Sequence, residues 1–342
     1  MRELESPGTF GVPSADKDAI LLGSQSGREA MFHLIQSGEA IAFVGAGLSQ
    51  PLYPTWQQFL ETLEKKAVEM TGKPISLAEG LSGADVLDYA EAIKRHFCEH
   101  ASTDQYFAIF GTQFGPKPDR CTEQQKKLLR LPFKGFVTTN YEESLEQAAH
   151  DSGETRRDCS VVIKPDADHH LVSRFLLGLD DKNEPRRIAH LHGIHTETRD
   201  IIFTRSDYEH AYGAVERGLW TLHRKLLWAL LATRRLVFIG TSLDDPYLNR
   251  LLEMVAGDLW NWGQTIHYLV SPLDERTIAR QQSDQDRFSK YGICVVYFDN
   301  FDGTYRGLDH LINEAVARCG KADAAQWLES VNADAEKILR PT

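Results

Sequence analysis

At 342 residues, with 42% hydrophobic and 25% charged side chains, the chain has the composition of a globular protein and enough length to bury a substantial core. Its formal net charge of −11 would repel a nucleic-acid backbone, so no direct nucleic-acid binding is expected. No apolar run reaches the length a bilayer requires, and residues 1–27 lack the basic start and apolar stretch of a leader, so the expectation is a cytoplasmic protein with no membrane association.

Residues 1–27 are rich in Gly, Ser and Pro and read as a flexible N-terminal arm. "AIAFVGAG" (40–47) is a continuous apolar run closed by glycines, the pattern of a buried parallel strand. "TWQQFLETLEKKAVEM" (55–70) follows with Trp56, Phe59, Leu60 and Leu63 at helical spacing and Thr55 placed to cap it. Residues 57–131 are predominantly helical and form a smaller insertion lobe between the first and second sheet strands. Further strands are expected at "FKGFVTT" (133–139), "RIAHLHG" (187–193), "RLVFIGTS" (235–242), "TIHYLVS" (265–271) and "GICVVYF" (292–298), with helices at 142–150, 217–233 and 245–256. This alternation implies an α/β architecture, a mostly parallel sheet with helices on both faces, spanning 28–320. Residues 321–342 form a C-terminal segment whose stretch 323–339 carries an apolar helical stripe. The five cysteines are scattered with no C-x-x-C pair, which argues against a disulfide framework or a zinc ribbon and for core packing.

In open α/β sheets ligands bind beyond the carboxyl ends of the strands, and four strands here end in unusual residues. Gly45-Ala46-Gly47-Leu48-Ser49 would let backbone approach a pyrophosphate and offer it helix N–H groups, although Gln50 stands where a third glycine would complete the dinucleotide pattern and a tight turn explains the glycines as well. Thr138-Thr139-Asn140-Tyr141 places an amide among hydroxyls; Asn140 could equally cap the next helix with Glu143. His190-Leu191-His192-Gly193 supplies two histidines, and a buried, satisfied His192 is the bland alternative. His190, His192 and His195 could be read as a metal cluster, but no carboxylate or Cys lies at convincing spacing and Gly193 interrupts the strand. Gly240-Thr241-Ser242-Leu243-Asp244-Asp245 again sets glycine beside hydroxyls, with the two aspartates placed to start a helix or touch a ribose. His169-His170 reads as a solvated loop.

The combination resembles the sirtuin family from about residue 40 to 312. "GAGLS" is similar to the sirtuin phosphate-binding stretch, "TTNYE" stands where sirtuins have their catalytic Asn, "HLHG" carries the His-Gly pair, and "GTSL" resembles the late nucleotide-contacting loop. The two zinc-binding C-x-x-C pairs and the Pro-Asp-Phe-Arg loop of sirtuin deacylases are missing. "PTWQQFL", "FTRSDYEHAYG" and "GTSLDDPYLNRLL" resemble instead the bacterial sirtuin-like proteins of anti-phage defence, which hydrolyse NAD; Glu142 replaces their usual Asp after "TTNY".

The resemblance implies a Rossmann-like domain that takes NAD as substrate, without zinc, and breaks its nicotinamide–ribose bond. Gly45, Ala46, Gly47, Ser49, Thr139, Tyr141, Gly240, Thr241 and Ser242 are expected to contact the dinucleotide, Asn140 to position water and ribose, and His192 to act as base. Nicotinamide in NAD is already cationic, so the bond to C1′ breaks without a general acid, and an amide can orient water without adding a fixed charge. An imidazole can then take a proton near neutral pH. Because uncontrolled NAD loss kills the host, control in trans is expected, through homo-oligomerisation or a sensor partner such as a HerA-type ATPase or an Argonaute-like protein. The rival expectations are an NAD-dependent deacylase or ADP-ribosyltransferase, a non-catalytic NAD or ADP-ribose-binding module, and a metal-dependent hydrolase built on the histidines.

Overall fold

The computed structural model describes residues 14–75, 86–152, 159–165, 169–181, 186–213, 221–259 and 264–320. The apolar runs form parallel strands: β1 (Ala40–Val44), β2 (Gly135–Thr138), β3 (Ser160–Val162), β4 (Ile188–His190), β5 (Arg235–Ile239), β6 (His267–Leu273) and β7 (Ile293–Asp299). Their order is β3-β4-β2-β1-β5-β6-β7, and each neighbouring pair is parallel. This is a Rossmann-like α/β fold. The six expected strands are present, while β3 was not anticipated because its three residues are too short for any period to register.

All five residues of β1 are buried, as a central parallel strand requires. Alternation along it divides the core: Ile41 and Phe43 join one apolar cluster with Leu226, Leu230 and Leu251, and Ala40, Ala42 and Val44 join another with Phe32, Leu128 and Leu311. Helices therefore cover both faces. A third cluster, rich in aromatic side chains, fills the helices Trp56–Thr71, Val86–His100 and Thr103–Phe114 that follow β1, whereas the helix Glu123–Leu129 before β2 packs Leu128 and Leu129 into the second cluster. Thr55 caps the first of these as expected, in a capping box with Gln58.

Two expectations need correction. Residues 14–27, read as part of a flexible arm, lie in helices at Ser14–Gly23 and Gln25–Gln36; Ile20 and Leu21 pack on the first core cluster, a burial that composition does not reveal. His169 and His170 open a helix, His169–Gly178, whose Val172 and Phe175 are buried, although both histidines are exposed. The last described helix covers 306–320, and the helix expected at 323–339 lies outside the described residues.

The chain leaves β1 towards β2 on one side of the sheet and leaves β5 towards β6 on the other. A crevice must open between these diverging connections, at the carboxyl ends of β1 and β5.

Candidate active site

The turns after β1 and β5 are locked together across that crevice. The Gly45 N–H donates to the Ile239 carbonyl at 2.9 Å and the Gly47 N–H to the Gly240 carbonyl at 2.8 Å. A Cβ on Gly45 would sit 2.5 Å from the Gly240 oxygen, and Gly240 itself has φ +72° with only 2.7 Å between a Cβ there and the Leu48 nitrogen. Glycine at both positions is thus a condition of the approach. Ala46–Leu48 makes one tight 3-10 turn, and the next helix begins only at Trp56, so the helix N-terminus expected directly after the glycines is absent.

A cleft of about 550 Å³ opens over these turns. Gly45, Ala46, Gly47, Gly240, Thr241 and Ser242 line it, together with Thr139, Asn140 and Tyr141 from the end of β2 and His192 beyond β4. It continues past the ends of β6 and β7, where Ser271, Arg280, Arg287, Tyr297 and Tyr305 line it. Of the residues expected to meet a ligand, Ser49 alone is absent from the lining: it is 1% exposed and lies beneath Asn140.

Thr138 sets the geometry at the end of β2. Its hydroxyl donates to the Val44 carbonyl at 2.8 Å and accepts the Asn140 N–H at 3.0 Å. The Asn140 side-chain Nδ2 donates to Glu142 Oε1 at 2.9 Å and to Ser49 Oγ at 3.1 Å. Asn140 does not cap the following helix, Ser144–Asp151, whose N-cap residue is Glu143. Glu142 also accepts from the hydroxyls of Ser49 and Ser144, and Gln125 Nε2 donates to both serines. Burial pushes the Glu142 carboxyl up, and the donors from Ser49 and Asn140 only partly oppose this.

Tyr141 faces the other way. Its hydroxyl donates to the Ile202 carbonyl at 3.0 Å and its ring packs edge-on to Phe110 and Phe114, which anchors the helical lobe beside Asn140. Among the described residues its hydroxyl is therefore already engaged by protein, and what Tyr141 adds to the cleft is an aromatic wall.

The three neighbouring histidines take separate partners. His190 has Nδ1 3.1 Å from the Asn140 carbonyl and Nε2 2.7 Å from Glu146 Oε1. Burial opposes its charge, but the Glu146 carboxylate outweighs that and raises its pKa, so an imidazolium donating to both acceptors is favoured. His195 Nε2 lies 3.0 Å from Glu143 Oε2. His192 Nε2 lies 2.9 Å from the Tyr212 hydroxyl, and burial pushes its pKa down to about 3, so the ring is neutral at physiological pH. Among the described residues no group of three His, Cys, Asp or Glu side chains is placed to hold a metal ion.

Tyr212 and Tyr208 project from one face of the helix Arg205–Tyr212. Tyr208 lies edge-on to His192 with ring centres 5.1 Å apart and donates its hydroxyl to Asp245 Oδ2 at 2.9 Å. Asp245 Oδ1 accepts the N–H groups of Tyr247 and Leu248, so this aspartate starts the helix Pro246–Leu259 while also lining the cleft. Asp244 is exposed, 3.8 Å from Arg287. Sequence reasoning missed Tyr208, Tyr212 and Gln125. The i, i+4 tyrosines in "SDYEHAY" were a usable signal, whereas Gln125 announces only the capping box it forms with Thr122.

Residues 134–296 match the SIR2-like domain family. The chain is also similar to three proteins named NAD(+) hydrolase ThsA. That of Bacillus cereus (strain MSX-D12) is 23% identical over 282 residues, covering 78% of this chain and 52% of the relative. That of Enterococcus faecium is 24% identical, covering 78% and 54%, and that of Acinetobacter baumannii (strain 532279) is 22% identical, covering 79% and 52%. The chain spans about half the length of these relatives. Among the described residues no helix is long and apolar enough to cross a membrane.

Proposed function

We propose that this chain, which carries a SIR2-like domain, is an NAD glycohydrolase that converts NAD and water to nicotinamide and ADP-ribose. The observation that carries the reading is that Asn140 and His192 line one cleft with two interlocked glycine turns at the sheet's switch point. The names of the similar hydrolases support it.

In this reading the glycine turns, with Thr241 and Ser242, hold the pyrophosphate, and the ends of β6 and β7 take the adenosine half. The C1′–N1 bond breaks with its electron pair going to the nicotinamide nitrogen, which neutralises the pyridinium and leaves an oxocarbenium-like ribosyl centre. Asn140 holds the attacking water or a ribose hydroxyl against that centre. Water bonded to such a centre is strongly acidic, so His192 can take its proton although burial makes the imidazole a weak base. Tyr212 orients the ring by its bond to Nε2.

The likeness of the "PTWQQFL", "FTRSDYEHAYG" and "GTSLDDPYLNRLL" segments to defence proteins supports a role as an anti-phage effector acting by abortive infection, restrained by homo-oligomerisation or by a sensor partner of HerA or Argonaute type. The testing experiment incubates the protein with NAD and no peptide, beside Asn140→Ala, and separates the products. Nicotinamide and ADP-ribose that appear with wild type and not with the variant support the reading. Release that requires an acylated peptide would overturn it in favour of a deacylase, and tight NAD binding with no turnover alone or with candidate partners would make it a binding module.

A further inference from the structure

The network beneath Asn140 is closed enough for its hydrogens to be counted. Gln125, 0% exposed, comes from the helix Glu123–Leu129 that precedes β2. Its Oε1 accepts the Thr122 N–H at 2.8 Å, which fixes the amide, and its Nε2 donates one hydrogen to Ser49 Oγ at 3.1 Å and the other to Ser144 Oγ at 2.7 Å. A serine hydroxyl carries a single hydrogen. Having accepted from Gln125, both serines turn that hydrogen to Glu142 Oε1. Ser49 is left with one acceptor position, which takes a hydrogen from Asn140 Nδ2, and the second Nδ2 hydrogen goes to Glu142 Oε1. Every hydrogen of the two amides and two hydroxyls is then assigned. Asn140 Oδ1 has no donor among the described residues, and Asn140 lines the cleft.

We propose that Gln125 is a positioning residue that sorts these hydrogen bonds so that Asn140 is held amide-inward and meets its ligand through the carbonyl oxygen, as an acceptor for a ribose hydroxyl or the attacking water. This rests on the reading of Asn140 given above. A flipped Asn140 would set its oxygen against the Glu142 carboxyl with no hydrogen between them, and Gln125 holds the serines in the state that forbids the flip. Gln125, which is absent from the lining of the cleft, therefore contributes to the site from beneath it.

The test uses Gln125→Glu and Gln125→Leu in the full chain, with two readouts. The side-chain amide 1H–15N signals of Asn140 need no turnover: both hydrogens should exchange slowly in wild type, and the protection should fall at least tenfold in each variant. In NAD hydrolysis, kcat should fall tenfold or more while KM stays within twofold, and Gln125→Glu should regain activity as pH is lowered, because a protonated carboxyl again donates to one serine. Folded variants with wild-type kcat and protected Asn140 hydrogens would overturn the proposal. If wild type does not hydrolyse NAD, the functional reading fails while the amide signals still decide the role of Gln125. Should either variant fail to fold, Ser144→Ala removes one arm of the network, and unchanged Asn140 exchange there overturns the proposal too.

Discussion

Replacing Asn140 with Asp changes one NH2 for an oxygen and leaves the shape intact, yet it sets a second carboxyl 2.9 Å from Glu142 Oε1. At an effective dielectric constant of about 20, two carboxylates at that distance repel by about 6 kcal/mol. His190, which lowers the Glu142 pKa electrostatically, offsets part of this, but Glu142 is already raised by burial. The pair therefore keeps one proton near neutral pH, with a folded pKa far above the unfolded aspartate value of about 3.9. A carboxyl whose pKa is raised by folding destabilises the protein as pH climbs from the unfolded value towards the folded one, at about 1.4 kcal/mol per pH unit. Adding one lost hydrogen bond of about 1 kcal/mol, the variant should be about 2 to 3 kcal/mol less stable than wild type at pH 5 and about 7 kcal/mol less stable at pH 8. Denaturant melts of both proteins across that range measure the difference. Near pH 5 the shared proton lies between the two carboxyls and an acceptor oxygen still meets the cleft, so Asn140→Asp should hydrolyse NAD slowly where Asn140→Ala does not. An Asp variant as stable as wild type at pH 8 would refute the buried contact from which this is worked.

Tyr212→Phe removes the hydrogen-bond partner that the His192 ring has among the described residues and should lower kcat about tenfold with little change in KM, read by steady-state kinetics at several pH values. Gly45→Ala places a Cβ 2.5 Å from the Gly240 oxygen and should cost about 1–3 kcal/mol of stability, with a parallel loss of affinity for ADP-ribose measured by calorimetry. His267, at the start of β6 and buried, is pushed down to about 4. The unfolded chain takes up that proton near pH 6.5 and the folded chain does not, so the stability this neutral ring carries is full above pH 6.5 and is lost as pH falls towards 4, by about 3 kcal/mol. His267→Gln keeps an acceptor for the Leu236 N–H and should flatten that part of a plot of melting temperature against pH.

Periodicity and punctuation, which act within a few residues, determined much of this protein. The apolar runs ending in Gly45, Asn140, His192 and Gly240 could be recognised as strands because parallel strands are buried on both faces, and the rule that ligands gather at their carboxyl ends singled out those four stretches before any contact was known. The capping box at Thr55 was legible for the same local reason. The tertiary structure decided which residues meet. Ser49 reads as a phosphate contact beside its glycines, but it is drawn under Asn140, 91 positions away, and the amide that orders it comes from Gln125, 76 positions from Ser49. Glu142 looks like a conservative replacement until burial and its donors show what its carboxyl holds. Helix formation at Ser14–Gly23 and the neutral state of His192 likewise depend on surfaces supplied from elsewhere in the chain. A side chain's type is written in the sequence, whereas its protonation and the direction of its hydrogens are set by desolvation and by partners that only folding brings within 3 Å or so.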